Sequence, residues 1–126
     1  MTDARSQELL EFPQIRARLA ALTAFAPSRR LAEAIEPSSE PLLVKRWLDE
    51  TDEARDILAR RPDLGVGGAH DISTIVLRAR RGGRLSGSEL LQVLETVVSA
   101  GRLSDALKDE RPPQLHELGR SIKPLP

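Results

Sequence analysis

The sequence predicts an all-α protein, an irregular bundle of about five to six helices. Apolar residues recur at intervals of three or four along most of the chain, which is the period of an amphipathic helix. Alternation of β-branched residues, the pattern of a strand, never continues for a strand's length. Nine prolines and eight glycines fall largely between the apolar segments, where they would end helices. The 126 residues are therefore expected to form one helical domain or a fragment of a larger one.

The first two helices are predicted over residues 6–24 and 28–36. Pro27 directly precedes the second helix, and Pro37 ends it because proline cannot continue the hydrogen-bond ladder. Both helices are expected to turn one apolar side inward. The apolar stripe of the first helix consists of Leu9, Phe12, Ile15, Leu19 and Leu22.

The third helix is predicted over residues 40–60, with a serine cap from Ser38 or Ser39 and an end before Pro62. Trp47 is interpreted as a core anchor on its apolar side. Consecutive charges on a helix point in different directions, so the acidic residues are expected to be solvated and not to hold a cation. These residues are Asp49, Glu50, Asp52, Glu53 and Asp56.

A glycine-rich connection covers residues 63–70. A phosphate-binding loop of the Walker type needs Lys and then Ser or Thr after its last glycine, whereas Ala69 and His70 stand there. His70 and Asp71 would serve catalysis only with a nucleophile aimed at the imidazole. We interpret the segment as a turn between helices and expect no catalytic residue in it.

The fourth and fifth helices are predicted over residues 72–81 and 87–107. Asp71 is positioned to cap the fourth helix, and two glycines, Gly82 and Gly83, end it. The fifth helix begins with a capping box, in which Ser86 and Glu89 are three residues apart and satisfy each other's backbone N–H groups.

Apolar residues cover a wide arc of the fifth helix, which implies burial on more than one side. Gly101 lies within this helix and suggests a close helix crossing there. A last short helix is predicted over residues 113–121, after Pro112 and Pro113.

The composition excludes several classes of protein. Lys plus Arg and Asp plus Glu both number 19, so no overall field attracts the chain to nucleic acid or anionic lipid. With no cysteine and two histidines, a thiolate zinc site is excluded and no metal site is expected. No apolar run reaches the roughly 18 residues of a membrane span. We expect a soluble, cytoplasmic protein without a membrane partner.

The best local candidate for a binding site is a cluster of four arginines, Arg78, Arg80, Arg81 and Arg84, beside a pair of glycines. Guanidinium groups bind phosphate oxygens in bidentate fashion, so these residues are candidate contacts to nucleic-acid phosphates. The alternative is a solvated or salt-bridged cluster, since positive charge at a helix C-terminus already favours the helix dipole.

Five short segments of the chain occur in a characteristic order. They are Leu10-Glu11-Phe12 with Ile15, Glu36-Pro37-Ser38, Leu48-Asp49-Glu50-Thr51-Asp52-Glu53-Ala54, Gly67-Gly68 with His70-Asp71-Ile72, and Arg81-Gly82-Gly83-Arg84-Leu85-Ser86 with Glu89-Leu90-Leu91. In order and spacing, across residues 8–107, the chain resembles the amino-terminal region of bacterial MutS-II proteins, the second MutS paralogue.

The resemblance implies that this chain is a core or lever fragment of a larger protein. MutS-II proteins are dimeric MutS-family ATPases with a carboxy-terminal Smr endonuclease domain, and they are linked to branched DNA, suppression of homologous recombination and rescue of collided ribosomes. ATP, Mg and the catalytic residues would then belong to other parts of the parent, and this chain itself would be neither an enzyme nor a cofactor-binding part. Its partners would be the clamp and ATPase parts, a second subunit, and DNA or the ribosome through the parent.

The alternative to this structural role is an autonomous helical module. Such a module would bind nucleic acid or another protein through the cluster between Arg78 and Arg84.

Overall fold

The computed structural model describes residues 4–123, and within that range every regular element is an α-helix. The predicted all-α class is confirmed. In chain order the helices are α1 Ala4–Leu9, α2 Phe12–Ala21, α3 Ala26–Glu33, α4 Pro41–Arg60, α5 Ser73–Arg80, α6 Gly87–Glu110 and α7 Leu115–Ser121. No helix in the described range is both long enough and apolar enough to cross a membrane.

The chain divides into two compact units, Met1–Asp52 and Glu53–Pro126. The first unit contains α1, α2, α3 and the first part of α4, and the second contains the rest of α4 with α5, α6 and α7. In the first unit α2 packs against both α1 and α3. In the second unit α6 packs against α7.

The helix predicted over residues 6–24 is interrupted and consists of α1 and α2. Between them Glu11 adopts a left-handed conformation with φ 54°. Pro13 explains the break, because its ring would clash with the carbonyl group of Leu9 and it has no N–H to donate there. In the first turn of α2, where an N–H has no intrahelical partner, proline is tolerated.

The other predicted helices are present with shifted ends. The helix predicted over 28–36 begins two residues earlier, because Pro27 lies inside the first turn of α3 instead of before it. The helix predicted over 87–107 continues as α6 to Glu110, and Arg111 then leaves the helix with φ 48° before Pro112. The last one, predicted over 113–121, begins at Leu115.

The charged side of α4 is organised by ion pairs between successive turns. Lys45 Nζ lies 2.7 Å from an Asp49 carboxylate oxygen, and Arg46 Nε lies 2.9 Å from a Glu50 carboxylate oxygen. These pairs are four residues apart, the spacing that brings side chains together on a helix surface. Trp47 is 42% exposed, so the interpretation of this residue as a core anchor is wrong. The buried residues between positions 4 and 52 are two alanines, so Trp47 does not belong to a buried core there.

The second unit has its own apolar core. Ile57 of α4 and Leu64 of the following connection pack with Ala106 and Leu107 of α6. Leu103 and Leu115 contact this cluster from its edge. The core thus joins the end of α4 to the second half of α6 and the start of α7.

The close helix crossing predicted at Gly101 is instead found at Gly119, where α7 meets α6. A Cβ atom added to Gly119 would lie 2.7 Å from the Cβ of Leu107, whereas one added to Gly101 would meet nothing within 4 Å. Ser104 Oγ donates a hydrogen bond to the carbonyl oxygen of Gly119 at 3.1 Å, which holds the two helices at this short distance.

Two alanine substitutions test this packing. Gly119→Ala is expected to destabilise the chain by about 1–3 kcal/mol, because the new methyl group overlaps a buried leucine. Gly101→Ala fills open space on a helix and is expected to stabilise it by roughly 0.5–1 kcal/mol. Urea unfolding followed by circular dichroism measures both changes. An unchanged midpoint for Gly119→Ala would contradict the close contact between α6 and α7.

Candidate nucleic-acid interface

The four predicted arginines lie where α5 ends and the chain turns toward α6. Arg78 and Arg80 belong to the last turn of α5, Arg81 follows directly, and Arg84 lies in the connection. All four residues are exposed. The structure thus brings the candidate side chains to one turn of the second unit.

Backbone geometry at this turn depends on the two glycines. Gly82 takes φ 79° and its N–H donates to the carbonyl oxygen of Ala79 at 2.9 Å, while the Gly83 N–H donates to that of Arg78 at 2.9 Å. These two bonds are the Schellman motif that ends a helix. A Cβ atom on Gly83 would lie 2.5 Å from Cγ of Arg78, so the missing side chain leaves room for the arginine stem.

Arg78 is engaged in an ion pair with Glu89, which belongs to the capping box of α6. The carboxylate of Glu89 accepts from the Ser86 N–H at 2.8 Å, and the Glu89 N–H donates to Ser86 Oγ at 3.3 Å. The hydrogen bond from the Ser86 backbone, and after it the one from Arg78, lowers the pKa of Glu89. Arg78 therefore ties the end of α5 to the start of α6.

The remaining three arginines of the cluster differ from Arg78. Arg80, Arg81 and Arg84 are exposed, and none of their guanidinium groups has a hydrogen-bond or ion-pair partner among residues 4–123. A guanidinium group in this state keeps all of its donors available for phosphate oxygens. Of the four predicted arginines, Arg78 is therefore paired with Glu89, and the other three guanidinium groups are available. Contact between these three and phosphate stays a prediction.

The glycine-rich connection before α5 is held against α6. His70 donates its backbone N–H to Thr96 Oγ1 at 2.9 Å, and Ser99 Oγ donates to the carbonyl oxygen of Gly67 at 3.1 Å. The His70 imidazole Nε2 lies 2.6 Å from a Glu95 carboxylate oxygen. The connection is a docked turn, which positions the beginning of α5.

Asp71 acts on the start of α5. Its carboxylate oxygen accepts from the backbone N–H of Ser73 at 3.2 Å and from Ser73 Oγ at 2.6 Å. The residue at the N-cap position of α5 is Ile72, because α5 begins one residue later than predicted, so Asp71 binds Ser73 from the position before the cap and the prediction of Asp71 as the cap residue is wrong. The partner of the His70 imidazole is Glu95, and Ser73 is a partner of the Asp71 carboxylate.

An open groove of about 480 Å³ lies between the glycine-rich connection and α6. Its charged lining is mixed and consists of Arg61, Arg102, Asp63, Asp105 and Asp109. Cations and anions in one groove partly cancel, so the groove adds no basic surface to the turn that carries Arg78, Arg80, Arg81 and Arg84, here called the arginine turn. Among residues 4–123 no three His, Asp or Glu side chains are grouped so that they could hold a metal ion.

Glu53 has a role that the sequence analysis missed. Its carboxylate oxygens accept from the backbone N–H of Gln114 at 3.0 and 2.9 Å and from that of Leu115 at 3.0 Å. A carboxylate at a helix N-terminus satisfies free N–H groups and interacts favourably with the helix dipole. Glu53 was interpreted as part of a solvated acidic side. No local signal indicated otherwise, since its partners are 61 and 62 residues further along the chain.

Comparison with known proteins shows that this chain is similar to a segment of larger proteins. It spans about one sixth of the length of the curated relatives it matches. It is 33% identical over 125 residues to a protein of Alkaliphilus oremlandii, covering 96% of this chain and 16% of that protein. A protein of Symbiobacterium thermophilum is 36% identical over 108 residues, which cover 86% of this chain and 14% of that protein. A protein of Thermomicrobium roseum is 34% identical over 123 residues, covering 94% and 16% of the two chains.

All three relatives are named endonuclease MutS2. The chain belongs to the MutS2 family, and its predicted resemblance to the amino-terminal region of these proteins is confirmed. No family model matches the chain. No solved structure matches it either.

The capping box makes stability depend on pH in a defined direction. Because folding lowers the pKa of Glu89, its ionised form stabilises the fold at neutral pH. That contribution is complete above the unfolded value of about 4.3 and is lost as the pH falls through the lower folded pKa. Glu89→Gln is therefore expected to lower the urea midpoint at pH 7 and to flatten its fall below about pH 4.3.

Glu117→Gln is the matched control for this experiment. Glu117 is an exposed glutamate 3.3 Å from Arg120 in α7, and its replacement is expected to leave the acid dependence unchanged. An equal effect of the two substitutions would show that the capping box does not carry the pH dependence.

Proposed function

We propose that this chain is a helical structural and coupling module of a MutS2-type protein. In this role it forms the core or lever part, packs on the clamp and ATPase parts, and transmits ATP-driven rearrangement to the clamp. The proposal includes a cytoplasmic, dimeric parent that binds DNA, uses ATP with Mg and acts as an endonuclease. The name of the relatives, endonuclease MutS2, supports the last activity. Suppression of homologous recombination and rescue of collided ribosomes are the cellular roles proposed for that parent.

The observation that carries the proposal is the exposed apolar surface of the first unit. Leu22, Leu42 and Leu9 are 84%, 78% and 77% exposed, and the buried residues between positions 4 and 52 are Ala20 and Ala32. Each exposed leucine that becomes covered would gain about 25 cal/mol per Å² of apolar area. A unit with this pattern is stabilised by a further protein surface, as expected of a segment inside a larger assembly.

Copurification tests this role. The chain and the remaining parts of a MutS2-type protein, expressed as separate polypeptides, are expected to form a complex on size-exclusion chromatography. Leu22→Glu combined with Leu42→Glu places two charges on the exposed surface and should weaken that complex. The matched control is Arg29→Glu in α3, which changes an exposed charge on the same unit. Failure of the unsubstituted chain to associate would contradict the proposal.

A second candidate function is nucleic-acid binding by the arginine turn. Arg80, Arg81 and Arg84 favour it, because their guanidinium groups are exposed and have no partner in the described part of the chain. The two functions differ in what they require of this chain. A structural module needs no nucleic-acid affinity of its own, whereas a binding module must bind without the rest of the parent.

Fluorescence anisotropy with duplex and four-way-junction DNA tests the binding function. If the three available arginines each neutralise one phosphate, the logarithm of affinity should fall with the logarithm of salt concentration with a slope of about −2.7. Replacing all three by Glu should abolish binding. Arg18→Glu, Arg29→Glu and Arg46→Glu together are the control, since they change the net charge equally elsewhere. Absence of binding at low salt would exclude this function and leave the structural one.

A further inference from the structure

The ion pair between Arg78 and Glu89 withholds one cation from the arginine turn. Arg78 Nη2 donates to Oε1 of Glu89, whereas the other three guanidinium groups of the turn have no partner among residues 4–123. Arg78 and Arg81 are three residues apart at the end of α5, the spacing at which side chains are neighbours on a helix surface. A guanidinium group released from Glu89 would therefore lie beside an available one.

The capping box of α6 does not need this ion pair, because the two contacts use different oxygens of the same carboxylate. Oε1 of Glu89 accepts from Arg78, and Oε2 accepts from the Ser86 backbone N–H at 2.8 Å. The other half of the box runs from the Glu89 N–H to Ser86 Oγ and involves no carboxylate oxygen. Arg78 can thus leave Glu89 while the start of α6 keeps both hydrogen bonds of its cap.

The pair is open to water and therefore to competing anions. The side chains of Arg78 and Glu89 are 49% and 24% exposed. Ion pairs at a protein surface contribute little to stability and are screened by salt. Phosphate oxygens accept hydrogen bonds from a guanidinium group as carboxylate oxygens do. A phosphate held by the neighbouring arginines can therefore compete with Glu89 for Arg78.

Glu89 remains a charged competitor at neutral pH. The hydrogen bond from the Ser86 backbone, and after it the one from Arg78, lowers the pKa of Glu89. The carboxylate therefore stays ionised near neutral pH, where protons do not displace it from Arg78. Under these conditions the pair is opened by an anion that takes over the guanidinium group.

We propose that the Arg78–Glu89 pair is an autoinhibitory contact of the arginine turn, in which Glu89 is an internal competitor for the phosphate that Arg78 would bind. This inference rests on the nucleic-acid binding described above as the second candidate function, and it concerns the regulation of that site. With the pair closed the turn offers three guanidinium groups, and with the pair open it offers four. The ligand that opens the pair is a nucleic-acid backbone, because its closely spaced phosphates bring a competing anion to Arg78 once the other arginines are bound.

Glu89→Gln separates the two roles of Glu89. Glutamine also completes a capping box, so α6 keeps its start, but the neutral amide does not hold Arg78 in an ion pair. Binding to duplex DNA is followed by fluorescence anisotropy across a salt series. The slope of log affinity against log salt should steepen from about −2.7 to about −3.6, because a fourth phosphate is neutralised. Circular dichroism checks that the helix content is kept.

Two further variants assign the change to Arg78. Arg78→Gln added to Glu89→Gln should return the slope to about −2.7, since the fourth contact is then lost. Glu117→Gln is the matched control, because it removes an exposed carboxylate from another arginine, Arg120 of α7. It should leave the slope of the unsubstituted chain unchanged.

A second readout without nucleic acid distinguishes this inference from the function on which it rests. Two-dimensional NMR of the arginine Nε–Hε groups is recorded during titration with inorganic phosphate. In the unsubstituted chain the signals of Arg80, Arg81 and Arg84 should move, and that of Arg78 should stay nearly in place. In Glu89→Gln the Arg78 signal should move with the other three, because its carboxylate partner is gone.

Three results would overturn the inference. The first is the same slope with and without Glu89→Gln, or a steepening that Glu117→Gln reproduces. The second is a slope of about −3.6 in the unsubstituted chain, which would mean that Arg78 contacts phosphate despite Glu89. The third is an Arg78 signal that follows phosphate equally in both chains.

Failure of the binding function gives a different result. In that case neither the unsubstituted chain nor Glu89→Gln binds DNA, while the NMR titration still shows Arg78 responding to phosphate in Glu89→Gln alone. Such a combination would reject nucleic-acid binding and keep the internal competition between Glu89 and phosphate.

Discussion

The reciprocal hydrogen bonds between Ser86 and Glu89 determine where α6 begins, and the second unit is organised around that helix. With the first turn in place, Thr96 and Ser99 face the glycine-rich connection and Leu107 faces the core. Arg78 extends the same capping box backward to α5 through its ion pair with Glu89. A shift of one residue in the start of α6 would rotate every one of these contacts by about 100°.

Local signals predicted much of the fold. The capping box of α6 and the helix end at Gly82 each depend on residues within a few positions of one another, so a short stretch of sequence is enough to predict them. Pro13 is a local signal that was overlooked, and it divides the first helix. Trp47 could not be placed, because the exposure of a side chain depends on distant segments.

For the arginine turn, too, some features follow from neighbouring residues in the sequence and others depend on contacts between distant residues. Its place at the end of α5 follows from the sequence, whereas the pairing of Arg78 with Glu89 requires knowing how α5 and α6 approach each other. The cap that Glu53 provides for α7 joins residues about 60 positions apart, so no window of the sequence reveals it. Family membership was predictable for a different reason, since it depends on the order of several short segments and not on any contact.

The uneven burial of the two units has a consequence for how the chain is degraded. Segments that bury little apolar surface open locally at low free-energy cost, and proteases cleave such open states. Residues 4–52, which bury two alanines, are therefore expected to be removed first. Cleavage should stop within α4 before Glu53, because its bonds to α7 and the nearby Ile57 hold the second half of that helix. The surviving product would be a shorter helical protein that keeps the arginine turn and both sides of α6.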